Sequence, residues 1–151
     1  MNVFSSFVVN TFLLMIRLFL AAVSTCFFKA KENSVVNEED RILFKMPPMK
    51  SGSVDYEGSK SARIVRVHRN DLENILPFFM VCVCVVWLSE NGRILQSMEM
   101  WVSLAMYAFT VARYVYLYAY LYAWQPYRTY MWLLGMFATL FIGGVSVVSI
   151  L

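Results

Sequence analysis

The segment Arg66-Val67-His68-Arg69-Asn70-Asp71-Leu72-Glu73 puts two arginines, two acids, a histidine and an asparagine into eight consecutive residues. On a helix, Arg66, Arg69, Asn70 and Glu73 fall at i, i+3, i+4 and i+7, so they share one face. Arg113, Tyr116 and Tyr120 form a second stripe at the same spacing, and Arg128 and Thr129 follow shortly after. Two such stripes on neighbouring helices would make a cationic pocket, suited to a small, water-soluble anion. Other chemistries are ruled out. With one histidine and no second base nearby there is no nucleophilic triad. There is no glycine-rich phosphate loop and no cluster with metal-ligand spacing, so no metal is expected.

Blander roles stand beside these. Arg66 and Arg69 also fit interfacial anchors whose stems snorkel along lipid. Arg17 fits a structural counter-ion for Asp71 or Glu73. His68 lies one step off the Arg69–Glu73 stripe and fits a solvated or capping residue as well as a site residue. The tyrosines at 114, 116, 118, 120 and 122 alternate, so they do not all face one pocket, and some fit an interfacial belt.

These residues sit in an unusual setting. The 151-residue chain is 60% apolar and 15% charged. A soluble domain carries about 25% charged and about 45–50% apolar residues. A chain this short has too little interior to hide that surface, so lipid is the expected solvent. The apolar residues also run in blocks, and a spanning helix needs about 20 in a row. The blocks predict a single all-α, integral-membrane four-helix bundle over residues 1–151. Its spans lie at about residues 3–28, 63–88, 94–122 and 126–151. The second helix begins between residues 60 and 63, ahead of its apolar part. The polar stretch of about residues 29–62, with Pro47-Pro48 and Ser51-Gly52, reads as an exposed loop with little regular structure. The N-terminal run is too long, and lacks the charged start, for a cleaved signal peptide. Cys26, Cys82 and Cys84 read as small hydrophobes.

Residues 29–69 hold nine of the thirteen basic residues, whereas the connection between spans two and three holds only Arg93. The positive-inside rule then makes the first loop cytosolic and both termini lumenal. Charges within spans cost roughly 2.5–3.5 kcal/mol on insertion scales and tend to mark function. Arg17, Asp71, Glu73 and Arg113 are such charges. At about 1.5 Å per residue, Arg69, Asn70 and Glu73 lie within two turns of the cytosolic surface and Arg113 about 13 Å below it.

The block continued through Asn74-Ile75-Leu76-Pro77-Phe78 resembles the second-span signature of the membrane-associated proteins in eicosanoid and glutathione metabolism, on the microsomal glutathione transferase and prostaglandin E synthase side of that family. Asn37-Glu38-Glu39-Asp40 resembles the family's Asn-Pro-Glu-Asp loop motif, with Glu38 in place of the proline. Arg17 matches a basic residue of span one. Ala112-Arg113, Tyr120 and Gln125-Pro126-Tyr127-Arg128 resemble the end of span three and the start of span four. The match runs in order over nearly the whole chain.

The resemblance implies a homotrimer with glutathione as cosubstrate, bound between protomers near the cytosol. The contacts it implies are Lys29, Asp40, Arg69, Asn70, Glu73, Arg113, Tyr116, Tyr120 and Arg128. Arg128 would stabilise the thiolate, since a nearby cation lowers a thiol's pKa from about 8.5. Thr129 stands where the synthase branch has a serine that helps hold the sulfur. Arg17 and Asp71 are carried over as structural intramembrane charges. Tyr116 replaces a histidine and Trp132 a tyrosine. The implied function is glutathione conjugation to a hydrophobic electrophile, or reduction of a lipid hydroperoxide, in the endoplasmic reticulum membrane or the outer mitochondrial membrane. A prostaglandin E synthase-type isomerase is the alternative within enzymes, and a non-catalytic lipid-binding scaffold the alternative outside them. Gln125-Pro126-Tyr127-Arg128 favours the transferase side, and the retained Arg113 and Arg128 speak against the scaffold. No nucleic-acid partner is expected.

Overall fold

A computed structural model describes residues 2–32, 38–43, 45–46 and 59–151. All regular elements among them are helices: α1 (Val3–Lys31), α2 (Glu38–Leu43), α3 (Lys60–Glu90), α4 (Gln96–Leu121) and α5 (Tyr127–Val148). Asn37, Pro47, Pro48, Ser51 and Gly52, singled out in the first loop, lie outside the described residues.

The helix ends follow local chemistry. Asn2 caps α1, its Oδ1 accepting from the Phe4 amide at 2.7 Å. Ser59 caps α3 by accepting from the Ala62 amide at 3.1 Å. Glu32, just beyond α1, accepts from the Lys60 and Ser61 amides at 3.0 and 3.1 Å. Three otherwise orphaned N–H groups at the start of α3 are thereby satisfied, which sets its first residue at Lys60. Glu32 also staples the end of α1 to the start of α3, so the two run antiparallel. The helix α2 departs from the structureless loop expected there. Its acids precede Arg41, the order that a helix dipole favours.

Gly92 has φ +65° and closes the α3–α4 turn. Arg93 N–H bonds Leu88 O at 2.9 Å and Gly92 N–H bonds Ser89 O at 3.0 Å, a Schellman ending in which glycine takes the left-handed position without a Cβ clash. The α4–α5 turn repeats it, with Trp124 N–H on Ala119 O at 2.8 Å, but Ala123 fills the left-handed position at φ 56°.

The helix α1 packs on α3 and α4, α5 packs on the same two, and α3 meets α4 across the middle. Core side chains include Leu14, Ile75, Phe78, Cys82, Met106, Phe109 and Ile142. Phe78 and Phe109 stack with centroids 3.8 Å apart. The outside is also apolar: Phe12, Phe19, Leu76, Met80, Phe137 and Leu140 are exposed. Among the described residues three helices, α1, α3 and α5, are long and apolar enough to cross a membrane. The fourth, α4, has the length, 26 residues; its tyrosines, Arg113, Glu99 and Gln96 dilute its apolar content. An outer surface of this kind suits lipid, as expected for a multi-pass membrane protein.

Candidate functional site

Each long helix has one buried stripe, and three stripes carry charge. On α1 the stripe is Val3, Ser6, Asn10, Leu14, Arg17 and Ala21. On α3 it runs through Ile64, Val67, Asp71, Ile75 and Phe78. On α4 it includes Met106, Phe109, Thr110, Arg113 and Tyr116. Helix packing therefore brings Arg17, Asp71 and Arg113 to one point inside the bundle.

Asp71 receives both guanidiniums. Arg17 Nη2 lies 2.7 Å from Asp71 Oδ2, with both side chains fully buried. Arg113 Nε donates to Asp71 Oδ1 at 3.1 Å, and Arg113 Nη2 to the same oxygen. Arg113 Nη2 also donates to Asn70 Oδ1 at 2.8 Å. Two cations against one acid leave a positive charge inside. Arg17 Nε, Arg17 Nη1 and Arg113 Nη1 are buried without a hydrogen-bond partner among the described residues, a costly arrangement in a low dielectric. Arg17 is thus set against Asp71 rather than Glu73.

A neutral seam lies deeper along α1 and α4. Thr110 Oγ1 donates to Asn10 Oδ1, Asn10 Nδ2 donates to Ser6 O at 2.7 Å, and Tyr114 donates to Leu13 O at 2.8 Å. Sequence reasoning singled out neither Asn10 nor Thr110 as a site residue. Asn10 sits seven residues before Arg17 and Thr110 three before Arg113, spacings that place each pair on one face.

Toward the end of the bundle carrying Lys29 and Arg66 the groups come outward. Arg69 Nε meets Glu73 Oε1 at 3.2 Å, with the side chains 83% and 58% exposed. Asn70, next in sequence to Arg69, is half-buried and bonds the inner cluster through Arg113. The stripe of Arg66, Arg69 and Glu73 therefore faces out from the helix bundle rather than lining a pocket inside it. Lys29 occupies the last turn of α1 and Asp40 lies in α2.

The α4 stripe continues as a run of alternating guanidiniums and tilted rings. The Arg113 guanidinium lies 4.6 Å from the Tyr116 centroid, Tyr116 and Tyr120 are 5.7 Å apart, and the Arg128 guanidinium lies 4.8 Å from the Tyr120 centroid. Both cations are within cation–π range. Arg113 and Tyr116, read from the resemblance as ligand contacts, lie behind the surface, with Tyr116 only 6% exposed. Tyr120 and Arg128 are half-buried and Thr129 is exposed. Thr129 Oγ1 lies 3.4 Å from the Gln125 amide. With that amide turned to set acceptor against donor, its oxygen faces Arg128, 3.3 Å from Nε. Gln125, which the sequence offered only as part of the family-like segment at the start of span four, is thus a second hold on Arg128. Among the described residues no hydrogen bond or ion pair joins Arg69 or Glu73 to Arg128.

The molecule is a helical membrane protein with a buried charge cluster and an outward-facing set of cations near one end of its bundle. The family model of the MAPEG proteins matches residues 6–148. The chain belongs to the MAPEG family, the membrane-associated proteins in eicosanoid and glutathione metabolism. No curated protein matches it. MAPEG proteins generally use glutathione, and the family includes glutathione transferases and isomerases. Membership supports a glutathione-related or eicosanoid-metabolism protein of the membrane.

Proposed function

We propose that the protein is a microsomal glutathione transferase. It would cross the endoplasmic reticulum membrane four times, with the first loop cytosolic, and assemble as a homotrimer. The supporting observation is the division of the cationic groups. Arg69 and Glu73 face outward from α3 with Asn70 turned inward beside them, Arg128 at the start of α5 is held on Tyr120, and among the described residues no polar contact joins Arg69 or Glu73 to Arg128. Such half-sites suit a ligand bound between copies of the chain. The arginines and Lys29 would receive the glutathione carboxylates, and Glu73 or Asp40 its amine. Arg113 and Tyr116 would support the site from behind.

The thiol would lose its proton to water, and the thiolate would be stabilised beside Arg128 with help from Thr129. Attack on an electrophile arriving from the bilayer forms a carbon–sulfur bond and expels the leaving group. With a lipid hydroperoxide, two glutathiones would give the disulfide, the alcohol and water. The test is conjugation of glutathione to chlorodinitrobenzene by detergent-solubilised protein of measured oligomeric mass. Well-folded trimers that neither conjugate nor reduce a hydroperoxide would sink the reading. Prostaglandin E formation from the endoperoxide with weak conjugation would move the protein to the isomerase branch.

A further inference from the structure

A path through Arg113 and two tyrosine rings links Arg128 to the buried acid. Asp71 holds Arg113, Arg113 lies over Tyr116, Tyr116 leans on Tyr120, and Tyr120 carries Arg128. The first cation is fully buried and fixed by Asp71 and Asn70. The last is half-buried at the start of α5. Tyr116 and Tyr120 are one helical turn apart on α4, and their rings are tilted 49° to each other. The hydroxyl of Tyr116 makes no hydrogen bond among the described residues, so its ring, not its polar tip, is what the packing uses.

We infer that Tyr116 is a positioning residue, which transmits the rigidity of the Asp71–Arg113 pair through Tyr120 to the Arg128 guanidinium. The inference rests on the transferase reading for its consequence and on the ring geometry for its mechanism. A guanidinium kept over the Tyr120 face is ordered before the ligand arrives. Removing the Tyr116 ring frees Tyr120 to turn, and Arg128 then spends its charge on solvent. Arg113 and Asp71 lie behind the rings, and Arg63 on α3 donates through Nη1 to Leu121 O at 3.4 Å. None of these supplies another ring beneath Arg128, and Gln125 holds it only from the turn.

The experiment compares wild type with Tyr116→Phe and Tyr116→Leu, each checked for helicity and oligomeric mass. The first measurement is the ultraviolet absorbance of bound glutathione thiolate against pH. Phe should titrate as wild type. Leu should titrate roughly half to one pH unit higher, the worth of a weakened cation–π contact, with little change in KM for glutathione. The second measurement needs no ligand: the Arg128 Nε–H resonance in arginine-labelled protein, which a ring beneath it shifts. Leu should move it and Phe should not. A Leu variant that leaves that resonance in place overturns the inference, as does one whose thiolate titrates like wild type. Wild-type protein that forms no thiolate defeats the transferase reading instead, and the resonance alone then decides the inference. Should Leu unfold the chain, Tyr116→Met, also without a ring, takes its place and is read in the same way.

Discussion

Asp71 Oδ2 lies 2.7 Å from Arg17 Nη2, joining two fully buried side chains on α3 and α1. Arg113 closes on the other oxygen of the same carboxylate. Breaking a buried pair from one side costs about 3–5 kcal/mol, because the remaining charge stays buried without a partner. Asp71→Asn leaves two guanidiniums in that position. It is expected to lower stability by at least that amount, read as a large fall in melting temperature in detergent. Adding Arg17→Met to Asp71→Asn should recover part of the loss, since one orphaned charge goes with it. Additive losses would show that the residues do not interact.

Arg128 and Arg69 should separate in their kinetics. Arg128→Ala should abolish the glutathione thiolate absorbance at neutral pH while leaving the melting temperature near wild type, because its contacts are a ring and the Gln125 amide at the edge of the bundle. Arg69→Ala should raise KM for glutathione with the thiolate still formed, since Arg69 is 83% exposed and among the described residues its ion pair is with Glu73. Thiolate formation unchanged by Arg128→Ala would remove Arg128 from the proposed role.

How much of this was legible beforehand depends on phase. Charged residues inside apolar blocks announce themselves, because burial forces them to pair. Arg17, Asp71 and Arg113 stood out for that reason. Which acid Arg17 meets follows from helical phase: Asp71 lies four residues from Val67 and from Ile75 on the buried face of α3. Glu73 is two residues further on, about 200° around the helix, and faces out. The outward turn of the Arg69–Glu73 stripe could be read the same way. The seating of Arg128 on Tyr120 could not, because it depends on how α5 leaves the turn at residues 122–126. Nor could α2, a helix of six residues inside a polar stretch, where local charge order decides against weak propensity.

Glu32 gives the fold a measurable pH response. Partial burial pushes its carboxyl up, but hydrogen bonds from the Ser61 side chain and the Ser61 and Lys60 amides outweigh that, so its pKa lies below the ordinary 4.5. A carboxyl held low in the folded state adds stability that is fully present above its unfolded value and is lost as pH falls through the folded value. The staple between α1 and α3 should therefore hold at neutral pH and weaken below about pH 4.5. The effect is small, since the group is exposed and screened. Glu32→Gln should lower the melting temperature at pH 7 and converge with wild type near pH 3. A constant offset across that range would mean that the charge is not what matters.

Ala123 is the residue at which the α4–α5 turn departs from its counterpart. Both turns close with the same pair of backbone bonds, but the first has Gly92 in the left-handed position and the second has Ala123 at φ 56°. A left-handed residue with a Cβ costs roughly 1–2 kcal/mol. Glycine removes that strain, and its greater freedom in the unfolded chain offsets roughly 0.5–1 kcal/mol of the gain. Ala123→Gly should thus stabilise the protein by about 0.5–1 kcal/mol, the difference between those two terms. Ala123→Val should destabilise it, because branching at Cβ deepens the clash. The same turn carries Gln125 into Arg128, so glycine, which keeps the left-handed geometry, should leave thiolate formation unchanged, and valine should reduce it. Thermal unfolding and thiolate absorbance on the two variants test both halves of the argument. A glycine variant that melts lower than wild type would show that the Ala123 conformation carries no removable strain.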